Sequence, residues 1–165
     1  MRIYQPATIR SLRTLVDDGE LGPVPLTAFA VTGALREFYL EGDDEEFAFA
    51  ALTAAARASL RLLDADPLTP RRRVVIVADV ADEAVTVRSD LERAAVRIAE
   101  PIGLKQVAAA YVDEEAAEKA VRAAAVAVME ADLGSADAQF VVDGAEGFEL
   151  GWYATQEIGP LVELL

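Results

Sequence analysis

Few kinds of side chain in this sequence can do chemistry. It contains neither Cys nor His, which removes thiolate nucleophiles, disulfides, imidazole acid–base work and the usual zinc ligands together. Carboxylate, guanidinium, phenol and hydroxyl groups remain. The densest group of them is Trp152-Tyr153-x-Thr155-Gln156-Glu157, which holds the only Trp of the chain. It has an echo at the other end: the spacing Tyr4, Ile9, Leu12, Leu15 recurs at Tyr153, Ile158, Leu161, Leu164. Both describe a strand that ends in Tyr and passes into a helix, and Tyr111 before Asp113 is a weaker third version. In an open α/β sheet, ligands bind at the carboxyl ends of the strands. Two such strands, parallel and adjacent, would bring Tyr4, Gln5, Thr8, Trp152, Tyr153, Gln156 and Glu157 around one crevice as ligand-binding residues. Glu157, near a helix N-terminus, would stay ionised there and accept from a ligand's hydroxyl or amine. The simpler reading is that each Tyr is the apolar plug any strand-to-helix junction needs.

Other constellations are weaker. The run Glu41-Gly42-Asp43-Asp44-Glu45-Glu46 lacks the spacing of a calcium loop and reads as a helix cap followed by a solvated first turn. Arg71, Arg72 and Arg73 read as structural ion pairs beside an acidic surface rather than as an anion site, because side chains alternate along a strand. Asp79 belongs at the exposed end of a strand, paired with an Arg. No Gly-rich phosphate loop is present. No cofactor, no metal and no catalytic residue are expected, and the balance leans away from an enzyme.

The elements that must position these groups centre on Val74-Val75-Ile76-Val77-Ala78-Asp79-Val80. This apolar run without alternation reads as a strand covered on both faces. Before it, Arg2-Ile3-Tyr4 predicts a strand stopped by Pro6, Thr8 a helix cap, and Leu26 to Thr32 a second strand, together a β-α-β opening. Asp43 with Glu46 forms a capping-box signature for a long helix over Phe47, Ala51, Leu52, Ala55, Ser59, Leu62 and Leu63. Val85 to Val87, Ala95 to Ala99 and Val107 to Val112 read as strands, with Asp113 capping a helix that runs to about Met129. Ser135 caps a further helix with Phe140 and Val141 inside; Phe148 to Tyr153 is a strand and Thr155 to Leu165 a last helix. These predict one α/β domain over residues 1–165, with a mixed five- or six-stranded sheet and helices on both faces, the alternative being a two-layer α+β sandwich.

Composition limits the partners. There are 29 acidic and 15 basic residues, a formal charge of −14, which repels nucleic-acid phosphate and anionic lipid. The opening residues lack the apolar region of a signal peptide, and no run reaches the roughly 20 apolar residues that span a bilayer. A cytoplasmic protein without nucleic-acid or membrane partners is expected.

The segments M-R-I-Y-x-P-A-T at residues 1–8, L-T-A-F-A-V-T from Leu26, A-A-R-A-S-L-R-L-L from Ala55 and W-Y-A-T-Q-E at residues 152–157 resemble a family of similarly sized actinobacterial proteins. That family is a domain of unknown function, so the resemblance implies no activity, cofactor or site residue. From the residues alone, the expectation is a non-enzymatic protein that self-associates or binds a protein partner. The alternative is a small-molecule enzyme or ligand-binding module with its crevice at the strand carboxyl ends.

Overall fold

The computed structural model describes residues 1–165. Its elements, in chain order, are β1 (Arg2–Ala7), α1 (Ile9–Asp18), β2 (Glu20–Leu21), β3 (Leu26–Phe29), α2 (Gly33–Phe38), α3 (Asp44–Ala65), β4 (Val74–Asp79), β5 (Val85–Val87), β6 (Ala95–Ile98), β7 (Ile102–Gly103), β8 (Val107–Val112), α4 (Glu118–Asp132), α5 (Ala136–Glu146), β9 (Gly151–Ala154) and α6 (Thr155–Leu164). Seven strands form one sheet in the order β5-β6-β3-β1-β4-β8-β9, and β2 pairs with β7 in a small ribbon.

β4 lies inside this sheet, and Ile76 is 0% exposed. Strand alternation divides its side chains: Val74, Ile76, Ala78 and Val80 face a core shared with Ile9, Leu12 and Leu15 of α1 and Ile158 of α6. Val75 and Val77 face Phe47, Ala51 and Ala55 of α3. Behind α3 a further layer forms where Leu60 and Leu63 meet Val121, Ala124 and Val128 of α4 and Ala138 and Val142 of α5. The α/β mixture with helices on both faces is therefore what the chain builds. The sheet is wider than the five or six strands expected, and its neighbouring pairs run antiparallel rather than mixed. The opening β-α-β reading is corrected with it, since β3 returns beside β1 in the opposite direction.

Local chemistry explains most boundaries. The Thr8 hydroxyl accepts from the Ser11 N–H at 3.2 Å, and Gly19 closes α1 at φ 80°, a left-handed conformation that costs Gly nothing. Asp43 accepts from the Glu46 N–H at 2.9 Å, and Asp44, Glu45 and Glu46 occupy the first turn of α3, where the helix dipole favours negative charge. Ser59, fully buried on α3, fastens the helix to the sheet. Its hydroxyl donates to the Ala7 carbonyl at 2.7 Å and accepts the Val74 N–H at 3.1 Å. Pro6 does not end β1 as expected. Continuing the Tyr4–Phe29 register would set Pro6 against Thr27. Pro has no N–H to give, and the Gln5 side-chain amide donates to the Thr27 carbonyl instead, at 3.2 Å.

Three further expectations are corrected. Phe140 and Val141 of α5 are both exposed, Phe140 at 79%, and Leu62 is exposed on α3. Asp113 does not cap α4: a short 3-10 turn, Glu115–Ala117, precedes that helix, and the Asp113 carboxylate is engaged elsewhere.

Candidate functional site

The crevice expected around the two tyrosine junctions does not form. β4 and β8 lie between β1 and β9, and three inter-strand steps hold them about 14 Å apart. Three antiparallel steps also point the carboxyl ends of β1 and β9 in opposite directions. The rings lie on opposite faces, Tyr4 in the core under α3 and Tyr153 against the core under α1 and α6. Burial of Tyr4 raises its phenol above the ordinary value, so it stays neutral. Thr8 is occupied as the cap of α1. Glu157 accepts from the Ala154 N–H at 3.0 Å, where it fastens the start of α6, and Gln156 is exposed. Gln5 borders a broad, shallow cleft with Thr27, Arg61 and Asp132. The tyrosine echo therefore reflects two similar junctions and not one site.

A partly open cavity of about 280 Å³ lies where α3, β8 and the segment leading into β9 meet. Leu52, Ala56 and Leu60 of α3, Phe148 and Leu150 of the incoming segment, and the Tyr111 ring of β8 make apolar walls; Thr53, Arg57, Glu146 and Glu149 add polar groups, and Arg73 reaches in. Tyr111 and Trp152 are cross-strand partners, so their side chains share the α3 face of the sheet. Trp152 is 58% exposed beside Tyr111.

Arg73 is the unusual member, because it is a 2% exposed guanidinium. It stands opposite Asp113, one residue beyond the Val74–Val112 pair that ends the β4–β8 ladder. Its Nε and Nη2 donate to Asp113 Oδ2 and Oδ1, both at 2.8 Å, and its backbone N–H donates to Oδ2 at 2.8 Å. Nη2 also donates to the Phe148 carbonyl at 2.8 Å, which ties the cavity wall to the central strand. A buried charge is tolerated only when paired and hydrogen-bonded in this way. Its neighbours are structural, though only Arg72 through the ion pair expected of it, Arg71 being held by backbone carbonyls. Arg71 donates to the Leu63 carbonyl at the end of α3, and Arg72 pairs with Glu118 at 2.8 Å.

On the outer side of α3, Arg57 and Arg61 both reach Asp132 of α4, at 3.1 and 2.7 Å. The Arg61 hydrogen bond, and secondarily Arg57, holds the Asp132 carboxyl below the usual carboxylate range. Asp79, on its exposed strand end, is lowered in the same way by its hydrogen bond from Arg2. No group of three or more Asp or Glu side chains is placed to hold a metal ion, and no helix is long and apolar enough to cross a membrane.

The sequence signals for the cavity were thin. Tyr111 appeared only as a weak junction and Arg73 only as one of three structural arginines. The walls are Leu, Ala and Phe residues that read as ordinary helix and loop. No curated protein and no solved structure matches the chain. One family model does match it, across residues 1–162, and the chain belongs to that family, a family of unknown function designated DUF6912.

Proposed function

We propose that the protein is a non-enzymatic ligand-binding module whose site is the cavity between α3, β8 and the entry to β9. The observation that carries this reading is an apolar-walled cavity of about 280 Å³ into which a buried, paired arginine projects. Ligand sites have this composition: apolar walls for affinity and a few fixed polar groups for orientation. The ligand is a small molecule with an apolar body and one polar head.

Trp152 reports on the test. As the only Trp, cross-strand from Tyr111, its emission should change when a small aromatic amphiphile enters. Ala56→Phe, which puts a ring into the cavity, and Thr53→Phe at the more exposed rim should both suppress the change. Unaltered titrations in both folded variants would rule the cavity out.

A second reading, self-association, is favoured by Val126 and Met129 of α4 and Leu133 at its C-cap, exposed at i, i+3 and i+7. Light scattering across a hundredfold concentration range tests it, and a constant monomer mass would remove it. The charge of −14 supports a protein without a nucleic-acid partner, and no shift of duplex DNA is expected in a gel at physiological salt.

A further inference from the structure

The polar groups around the cavity also specify the charge of what enters it. Of the three guanidinium nitrogens of Arg73, Nε and Nη2 are engaged by Asp113 and the Phe148 carbonyl. Nη1 donates to no protein acceptor, yet it is not one of the enclosed side-chain atoms left without a partner, which are Gln5 Oε1 and Arg97 Nε. On a residue 98% buried that lines the cavity, that leaves Nη1 opening onto the cavity itself. A fixed donor therefore faces the largely apolar lining of the cavity.

The charge accounting then separates the possible acceptors. Asp113 already neutralises Arg73 through both carboxylate oxygens. The other cation of the lining, Arg57, is held by Asp132 at 3.1 Å, with Glu146 at 3.9 Å. Glu146 and Glu149 both border the cavity, and Glu149 enters no ion pair. A carboxylate ligand would give up its hydration beside these two glutamates without gaining an unpaired cation, which disfavours the charged form. An ammonium ligand would suit the glutamates but cannot accept from Nη1. A neutral carbonyl oxygen satisfies the donor and adds no charge.

We infer that the cavity takes neutral carbonyl compounds, amides or related acyl groups on an apolar body, with the carbonyl oxygen accepting from Arg73 Nη1. This deepens the ligand-binding reading and rests on it. A variant of Arg73 would strand the buried Asp113, so a ligand series on the intact protein carries the test: 3-phenylpropanamide, 3-phenylpropanoate and 3-phenylpropylammonium, which share one skeleton. Dissociation constants from amide chemical-shift titrations should favour the amide over both charged forms by about tenfold, the discrimination that one hydrogen bond and one desolvated charge support. Equal or tighter binding of either ion at the cavity amides overturns the inference while leaving a ligand site in place. Failure of all three to shift Thr53, Ala56, Tyr111 and Leu150 overturns the ligand reading itself, and the inference with it.

Discussion

Arg73 and Asp113 face each other one residue beyond the last pair of the β4–β8 ladder, joined by two 2.8 Å side-chain contacts and by an Asp113 N–H to Arg73 carbonyl bond of 3.0 Å. The pair extends the backbone register into a side-chain clasp, and through the Phe148 carbonyl it sets the floor and one wall of the cavity.

Removing one partner should therefore be more damaging than removing both. Asp113→Ala leaves a buried guanidinium unpaired and should cost about 3–5 kcal/mol, whereas Arg73→Met combined with Asp113→Leu should recover part of that loss, the residue 73 N–H and the Phe148 carbonyl still lacking their partners. Denaturant midpoints of the single and double variants check it. A double variant no more stable than Asp113→Ala would show that the clasp is not a self-contained pair.

Ser59 offers an independent check on how α3 is held to the sheet. Ser59→Ala deletes the donor to the Ala7 carbonyl and the acceptor for the Val74 N–H, both buried. Leaving buried groups unsatisfied should cost about 1–3 kcal/mol. A loss of only a few tenths would mean that water reaches these groups.

Ile76 tests the centre of the fold. Ile76→Ala should destabilise by about 2–5 kcal/mol through lost burial and a cavity, while Val126→Ala, on the exposed side of α4, should stay within about 0.5 kcal/mol. Comparable losses at the two sites would contradict the layer assignment.

The lowered Asp132 carboxyl predicts a pH dependence. Its folded pKa lies below its unfolded value of about 4, so the stability it contributes is fully present above that value. That contribution disappears as pH falls through the folded pKa. The stability gap between the wild type and Asp132→Asn should be widest near neutral pH and should shrink steadily below about pH 4. Urea unfolding at a series of pH values measures it; a gap unchanged down to pH 2 would show that the Arg61 and Arg57 contacts do not persist in solution.

Local structure was more legible in the sequence than neighbourhood was. Thr8, Asp43 and Ser135 cap helices as their types and spacing indicate, and the unbroken apolar run of β4 announced a strand covered on both faces. Strand direction left no comparable mark, because the run from Val74 to Val80 reads the same in a parallel sheet and in an antiparallel one packed on both sides. That is why Tyr4 and Tyr153, with matching local patterns, were expected together and lie on opposite faces of the sheet. Phe140 failed for a related reason: helical spacing identifies a stripe but not whether another layer covers it. The cavity was hidden most completely, since its walls come from three segments distant in sequence. Its one buried charged group, Arg73, resembles its two structural neighbours until Asp113 is placed opposite it.

The central claim, that ligands enter between α3, β8 and the start of β9, is tested most directly by mapping amide and arginine Nε–H shifts on the labelled protein during titration with 3-phenylpropanamide. Saturable shifts are expected at Thr53, Ala56, Tyr111, Leu150 and the Arg73 Nε–H, with Tyr4, Tyr153 and Glu157 unmoved. Shifts confined to the cleft beside Gln5, Thr27 and Asp132, or none at any concentration the compound's solubility allows, would contradict it.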